Sequence, residues 1–249
     1  MRQPVNLAKE TKLLRALFYG EPGMGKTSIA AHLIEDRGCI VTTDSSWTVI
    51  QKHPDIAEKI DRFEFEGLSQ IEAIAQANAE GIEPYASYDT LIWDTASTGV
   101  NTLLRTLNER FIEDRGKLVP RPANKPVGVD TESWAHYRTA ERLLTDTIAV
   151  LNKSKLNIIY LAHLRQPNQQ DTEKGKFAIR PAMPEACFKV LYQEVQLLGW
   201  LYKESAESPR KVQLAGSNKE TAKVQLPGIE EKTYLVAELP ELIRKWKTS

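Results

Sequence analysis

One octet restricts this chain more than any other feature. Gly20-Glu21-Pro22-Gly23-Met24-Gly25-Lys26-Thr27 matches G-x-x-x-x-G-K-[ST] at every specified position. It joins an apolar run, Leu13 to Tyr19, that reads as a buried strand to a stretch, Lys26 to Arg37, that reads as a helix closed by Gly38. Glycines at those spacings let the main chain wrap around an anion, so that successive N–H groups face negative charge. The expected nucleotide-binding residues are therefore Gly20, Glu21, Pro22, Gly23, Met24, Gly25, Lys26, Thr27 and Ser28. Lys26 would reach the β- and γ-phosphates, and the Thr27 hydroxyl would bind Mg²⁺.

A phosphate loop needs a second metal-side group, and Thr90-Leu91-Ile92-Trp93-Asp94 supplies it: an apolar strand delivering one carboxylate at its C-terminal end. Thr27 and Asp94 are thus the expected Mg²⁺ residues. Guanine specificity is disfavoured. Asp94-Thr95-Ala96-Ser97 lacks the glycine of an Asp-x-x-Gly switch, and both Asn152-Lys153-Ser154-Lys155 and Asn218-Lys219-Glu220-Thr221 lack the aspartate that would hold guanine. Thr95 also stands where many hexameric ATPases place a water-activating glutamate. That carboxylate must come from elsewhere. Asp44, at the end of Cys39 to Thr43, should open onto the same crevice, with Glu66 in reserve. Asp44 could equally form a turn with Ser45 and Ser46.

Further along, Arg62 to Glu66 alternates like a short strand, and Leu68 to Glu80 reads as a helix ended by Gly81. Thr95 to Arg110 can be helical, the apolar spacing of Trp134, Tyr137, Leu144, Ile148 and Leu151 predicts a long helix, and Leu156 to Ala162 reads as a strand buried on both faces. Glu194 to Tyr202, Lys211 to Leu214 and Thr221 to Leu226 look like antiparallel strands, and Glu238 to Trp246 like a closing helix. Strand-helix alternation first and hairpins later predict an α/β fold: a mainly parallel central sheet flanked by helices with a C-terminal antiparallel extension. A single domain over 1–249 is expected, with its core at about 13–226 and a closing segment at 227–249.

Phosphate loop, Thr42-Thr43-Asp44, Asp94 and His163 after Ile158-Ile159-Tyr160-Leu161-Ala162 together resemble the RecA-like ATPase core. Trp134 before a long helix, Ile158 to Arg165, Arg180-Pro181 and Gly199-Trp200 are similar more narrowly to small phage-encoded RecA-core ATPases, a group that includes single-strand-annealing recombination proteins. The resemblance runs from about Leu13 to Leu226. It implies ATP and Mg²⁺ as cofactors, Asp44 as the carboxylate that activates water, and His163 as the γ-phosphate sensor. A glutamate and a glutamine are commoner at those two positions in RecA itself.

The resemblance also places DNA-contacting loops at 115–129 and 165–180. Arg115, Lys117, Arg121 and Lys125 give the first loop four cations and no acid. Arg165, Lys174, Lys176 and Arg180 outnumber Asp171 and Glu173 in the second. Such cations could neutralise phosphates of single-stranded DNA, although Phe177 is the one aromatic there for base stacking. The same resemblance implies a homo-oligomer in which a neighbour's cation meets the γ-phosphate. Arg210, Lys219 and Lys223 are the candidates.

Composition bounds the remainder. Lys+Arg and Asp+Glu each number 33, so no global basic field exists and any polyanion site must be local. Cys39 and Cys187 in apolar settings suit reduced thiols, which favours a cytoplasmic location, of the host cell if the protein is phage-encoded. No run approaches the ~20 apolar residues that span a bilayer, and Met1 to Lys9 lacks the layout of a signal peptide, so no membrane partner is expected. The expected activity is DNA-linked ATP hydrolysis in phage-type recombination or annealing. A phosphoryl transferase acting on a small acceptor, and a nucleotide-switched assembly or loading factor, are the rivals.

Overall fold

The computed structural model describes residues 12–116, 134–165, 179–216 and 221–249, with side chains for all of these except 108–116, 134 and 135. Strand β1 (Arg15–Gly20) is buried at every position, which only a central strand covered on both faces can be. Around it stand β2 (Gly38–Thr42), β3 (Ile60–Glu64), β4 (Thr90–Asp94), β5 (Asn157–His163), β6 (Leu197–Tyr202), β7 (Lys211–Gln213), β8 (Lys223–Val224) and β9 (Thr233–Leu235). Their order is β3-β2-β4-β5-β1-β6-β7-β9, with β8 beside β6. The β3-to-β6 portion is parallel throughout, while β7, β8 and β9 pair antiparallel. This is the expected mixed α/β architecture.

Alternation along β1 fills two cores. Leu17 and Tyr19 point into one, closed by α3 (Leu68–Glu80), α4 (Ala96–Gly116), α5 (Trp134–Leu151) and α6 (Glu185–Glu194). Ala140, Leu144, Ile148 and Leu151 recur every three or four residues on α5 and present one apolar stripe to that core. Ala16 and Phe18 point into the other core, which α1 (Lys26–Ala31) and the closing helix α7 (Leu239–Thr248) cover, with α2 (Pro54–Ala57) packed at its rim.

Four local expectations are corrected. Helix α1 ends at Ala31 rather than Arg37, which frees Leu33 and Ile34 to enter the core. Gly38 accordingly begins β2 instead of capping a helix: a Cβ there would lie 2.9 Å from both Ile34 Cδ1 and the Thr90 carbonyl. The strand within 194–202 pairs parallel to β1, register Tyr19↔Trp200, and turns antiparallel only on its far side. Glu185–Glu194, to which the sequence reading gave no element except a strand start at Glu194, is helix α6. Helix α4 runs through Gly116, so Arg115 belongs to it, and the rest of the 115–129 segment lies outside the described residues, as does 166–178. Among the described residues no helix is long and apolar enough to cross a membrane.

Candidate functional site

Parallel strands end at one edge of a sheet, and the registers here decide what meets there. Gly20 pairs His163, and Thr42 pairs Asp94. The edge therefore carries the start of the phosphate loop, His163, Asp94 and the Thr42-Thr43-Asp44 turn side by side. Thr43 N–H donates to the Asp94 carbonyl at 2.7 Å and the Thr95 N–H to Thr43 Oγ1 at 3.2 Å, which ties the ends of β2 and β4 together.

The loop owes its course to its glycines. Gly23 and Gly25 adopt φ of 80° and 91°, the left-handed region that a side chain disfavours. Gly20 is demanded by space: a Cβ would come 2.4 Å from the Leu201 carbonyl oxygen on β6. Lys26 is buried, and its ammonium donates to the Gly20 and Glu21 carbonyls at 2.9 Å each. Burial pulls its pKa down, against the opposing pull of Asp94, Asp44 and Glu21.

Across the crevice, Asp94 is 1% exposed. Its Oδ2 accepts the Thr27 hydroxyl at 2.8 Å and the Ser46 hydroxyl at 2.6 Å, while its Oδ1 is buried without a hydrogen-bond partner. Burial raises the Asp94 pKa despite both hydroxyls and Lys26. A buried carboxylate oxygen left unpaired beside a threonine hydroxyl is a hard oxygen donor set, and it fits the Mg²⁺ that a phosphate-loop fold implies. Thr27 and Asp94 would hold it, the carboxylate directly or through water.

Asp44 stands two residues past the end of β2, exposed, with its Oδ1 accepting the Ser46 N–H at 2.7 Å. The Asx turn is therefore real, yet the same carboxylate acts electrostatically on Lys26, Asp94 and His163. His163 is the last residue of β5; its N–H donates to Ser97 Oγ at 3.0 Å. Burial first and the Lys26 charge second lower its imidazole pKa. Glu66 lies two residues beyond β3, its N–H donating to Gln70 Oε1 at 3.1 Å in the turn into α3.

Two residues stand here in positions that the sequence reading did not give them. Ser46 joins the two carboxylates, its hydroxyl on Asp94 and its amide on Asp44. Its only sequence signal is its place two residues after a strand-ending aspartate. Arg210, expected to serve a neighbouring subunit, lies against its own chain's loop: a Cβ on Gly25 would be 3.3 Å from Arg210 Cδ. Lys223 donates to the Tyr192 carbonyl at 2.9 Å and covers that ring, and Lys219 lies outside the described residues.

A family model described as an AAA domain matches residues 12–227 of the chain. No curated protein matches it.

Proposed function

Since the chain belongs to the AAA domain family, and so to the P-loop nucleoside-triphosphate-binding proteins, we propose that it is a Mg²⁺-dependent, RecA-like ATPase acting on single-stranded DNA in phage-type recombination or annealing. The observation that carries the reading is the 2.8 Å hydrogen bond from Thr27 to a buried Asp94 whose second oxygen has no partner. Main-chain amides from Gly23 to Ser28 bind the phosphate tail, and Lys26 exchanges two carbonyl partners for β- and γ-phosphate oxygens. Mg²⁺ held at Thr27 and Asp94 would neutralise charge on those oxygens. Asp44 orients the attacking water and takes its proton, leaving the Asx turn to do so. His163 contacts the γ-phosphate and reports its loss.

The DNA role is supported by position. Arg165 follows β5 at the nucleotide edge, Arg180 lies beside the Leu164↔Pro181 bridge, and the sequence between 115 and 129 holds four cations without an acid. In a homo-oligomer Arg210, Lys219 and Lys223 are the candidates for a trans cation. Product analysis tests the whole reading. Free phosphate released from ATP, stimulated by a single-stranded oligonucleotide and abolished in Lys26→Ala, is expected. Phosphate retained on an acceptor would make the protein a phosphoryl transferase. Nucleotide binding without either product would make it a switched loading factor.

A further inference from the structure

Beyond the phosphate loop, the crevice continues along α1 into a cavity of about 510 Å³. It starts at Ser28, next to the metal-side Thr27, and passes His32 one turn later. Its opposite wall is Pro209, Arg210, Leu235 and Pro240. Leu235 is 38% exposed, one of few large apolar side chains in the described structure left so open. Its volume, apolar walls and few polar groups fall within the range of small-molecule pockets.

Arg210 stands where the cavity meets the loop. A Cβ on Gly25 would lie 3.5 Å from its Nη1 and 3.8 Å from its Nε, ordinary contact distances that place the guanidinium directly against the phosphate loop. The Val236 N–H donates to the Arg210 carbonyl at 3.0 Å, and Lys211 pairs Leu235 in the β7–β9 ladder, which together fix the arginine's backbone over the loop. Among the described residues its guanidinium has neither a carboxylate nor a carbonyl partner. An exposed planar cation without a partner, beside main-chain amides arranged for phosphate, is a phosphate ligand in waiting.

We propose that Arg210 binds the phosphate tail of its own chain's nucleotide and that the adjoining cavity takes the nucleoside, its base lying against Pro209, Leu235 and Pro240. This rests on the phosphate-loop reading and adds a direction to it: the γ-phosphate lies toward Asp94 and His163, the base toward the C-terminal segment. Leu235 and Pro240 fall beyond residue 227, where the family match ends. Nucleoside recognition thus draws in part on a segment of the chain that the family model does not cover.

Calorimetry with two Mg²⁺-complexed probes, inorganic tripolyphosphate and the β,γ-imido analogue of ATP, separates the parts. Wild type should bind the imido analogue about tenfold or more tighter than tripolyphosphate. Arg210→Ala should weaken both about tenfold, including at dilutions where the protein is monomeric. Leu235→Asp, at an exposed position, should weaken the imido analogue about tenfold and leave tripolyphosphate unchanged. Unchanged binding in Arg210→Ala, a loss confined to concentrated oligomeric samples, or an unaltered ratio of the two ligands in Leu235→Asp would overturn the proposal while leaving the phosphate loop standing. Wild type that binds neither probe would bring down the phosphate-loop reading itself.

Discussion

Asp94 shows how a site residue is held against its own preference. Its carboxyl group is buried with one oxygen unpartnered, and burial lifts its pKa above the ordinary 3.8. A carboxylate whose folded pKa exceeds its unfolded one loses stability as pH rises through that interval, so at neutral pH the charge is a cost. Asp94→Asn should therefore melt at a higher temperature than wild type without Mg²⁺, yet lose Mg²⁺-dependent turnover by about a hundredfold or more. Equal melting temperatures would remove the claim of a strained carboxylate. His163 has the opposite sign. Its folded pKa lies below 6.5, so on acidification the unfolded chain takes up the proton first and the fold weakens. Melting curves of wild type and His163→Gln should converge or cross as pH falls from about 7.5 to about 5.5, because only wild type carries this loss. Lys26, Thr27 and Asp94 could be read from the sequence because a short motif and one apolar strand specify them locally. The bond of Ser46 to Asp94 and the place of Arg210 against its own chain's loop could not: these residues lie 48 residues from Asp94 and 185 residues from Gly25, respectively, along a chain whose return path only the sheet order reveals.

Elements were legible where one period or one stop signal governs. Helix α3 begins and ends where its apolar spacing and Gly81 place it, and β4 spans the residues expected of it. Periodicity fails for β6, because an apolar run states burial and not the direction of the neighbour; its pairing with β1 is settled by α6, which brings the chain back to start a parallel strand. Glycine has the same ambiguity. Gly81 and Gly20 both punctuate elements, but Gly81 takes φ 77° with open space around it, and Gly20 lies in a strand with the Leu201 carbonyl 2.4 Å from where its Cβ would be. The obstacle at Gly20 is main chain, which no rotamer change relieves. Gly81→Ala should cost about 1 kcal/mol and Gly20→Ala about 3 kcal/mol or more, the latter by splitting β1 from β6. Chemical denaturation of both variants measures the two values, and comparable losses would show that Gly20 is a simple turn residue.

Across the whole molecule, the sheet divides two cores that differ in how they are closed. The core under α3, α4, α5 and α6 draws on helices between residues 68 and 194, whereas the opposite core combines α1, near the start of the described chain, with α7, near its end. Helix α7 lies past the family match, yet it inserts Leu239, Ile243 and Trp246 among Leu14, Phe18 and Ile40, and Arg244 donates to the His32 carbonyl at 2.7 Å. A helix closing the core beneath the phosphate loop also fixes the wall of the cavity, since Pro240 belongs to both. That it closes the chain as a helix was readable in the sequence; which core it covers was not, because both cores are apolar and only topology separates them. Trp246 is 7% exposed, and its removal leaves a large void that backbone already committed to β1 and α1 cannot close. Trp246→Ala should destabilise the protein by about 3 kcal/mol or more in urea denaturation, and the variant that remains folded should bind the β,γ-imido analogue of ATP more weakly than wild type while its tripolyphosphate affinity changes less. A surface role for α7 would instead give a loss under about 1 kcal/mol and no change in either ligand.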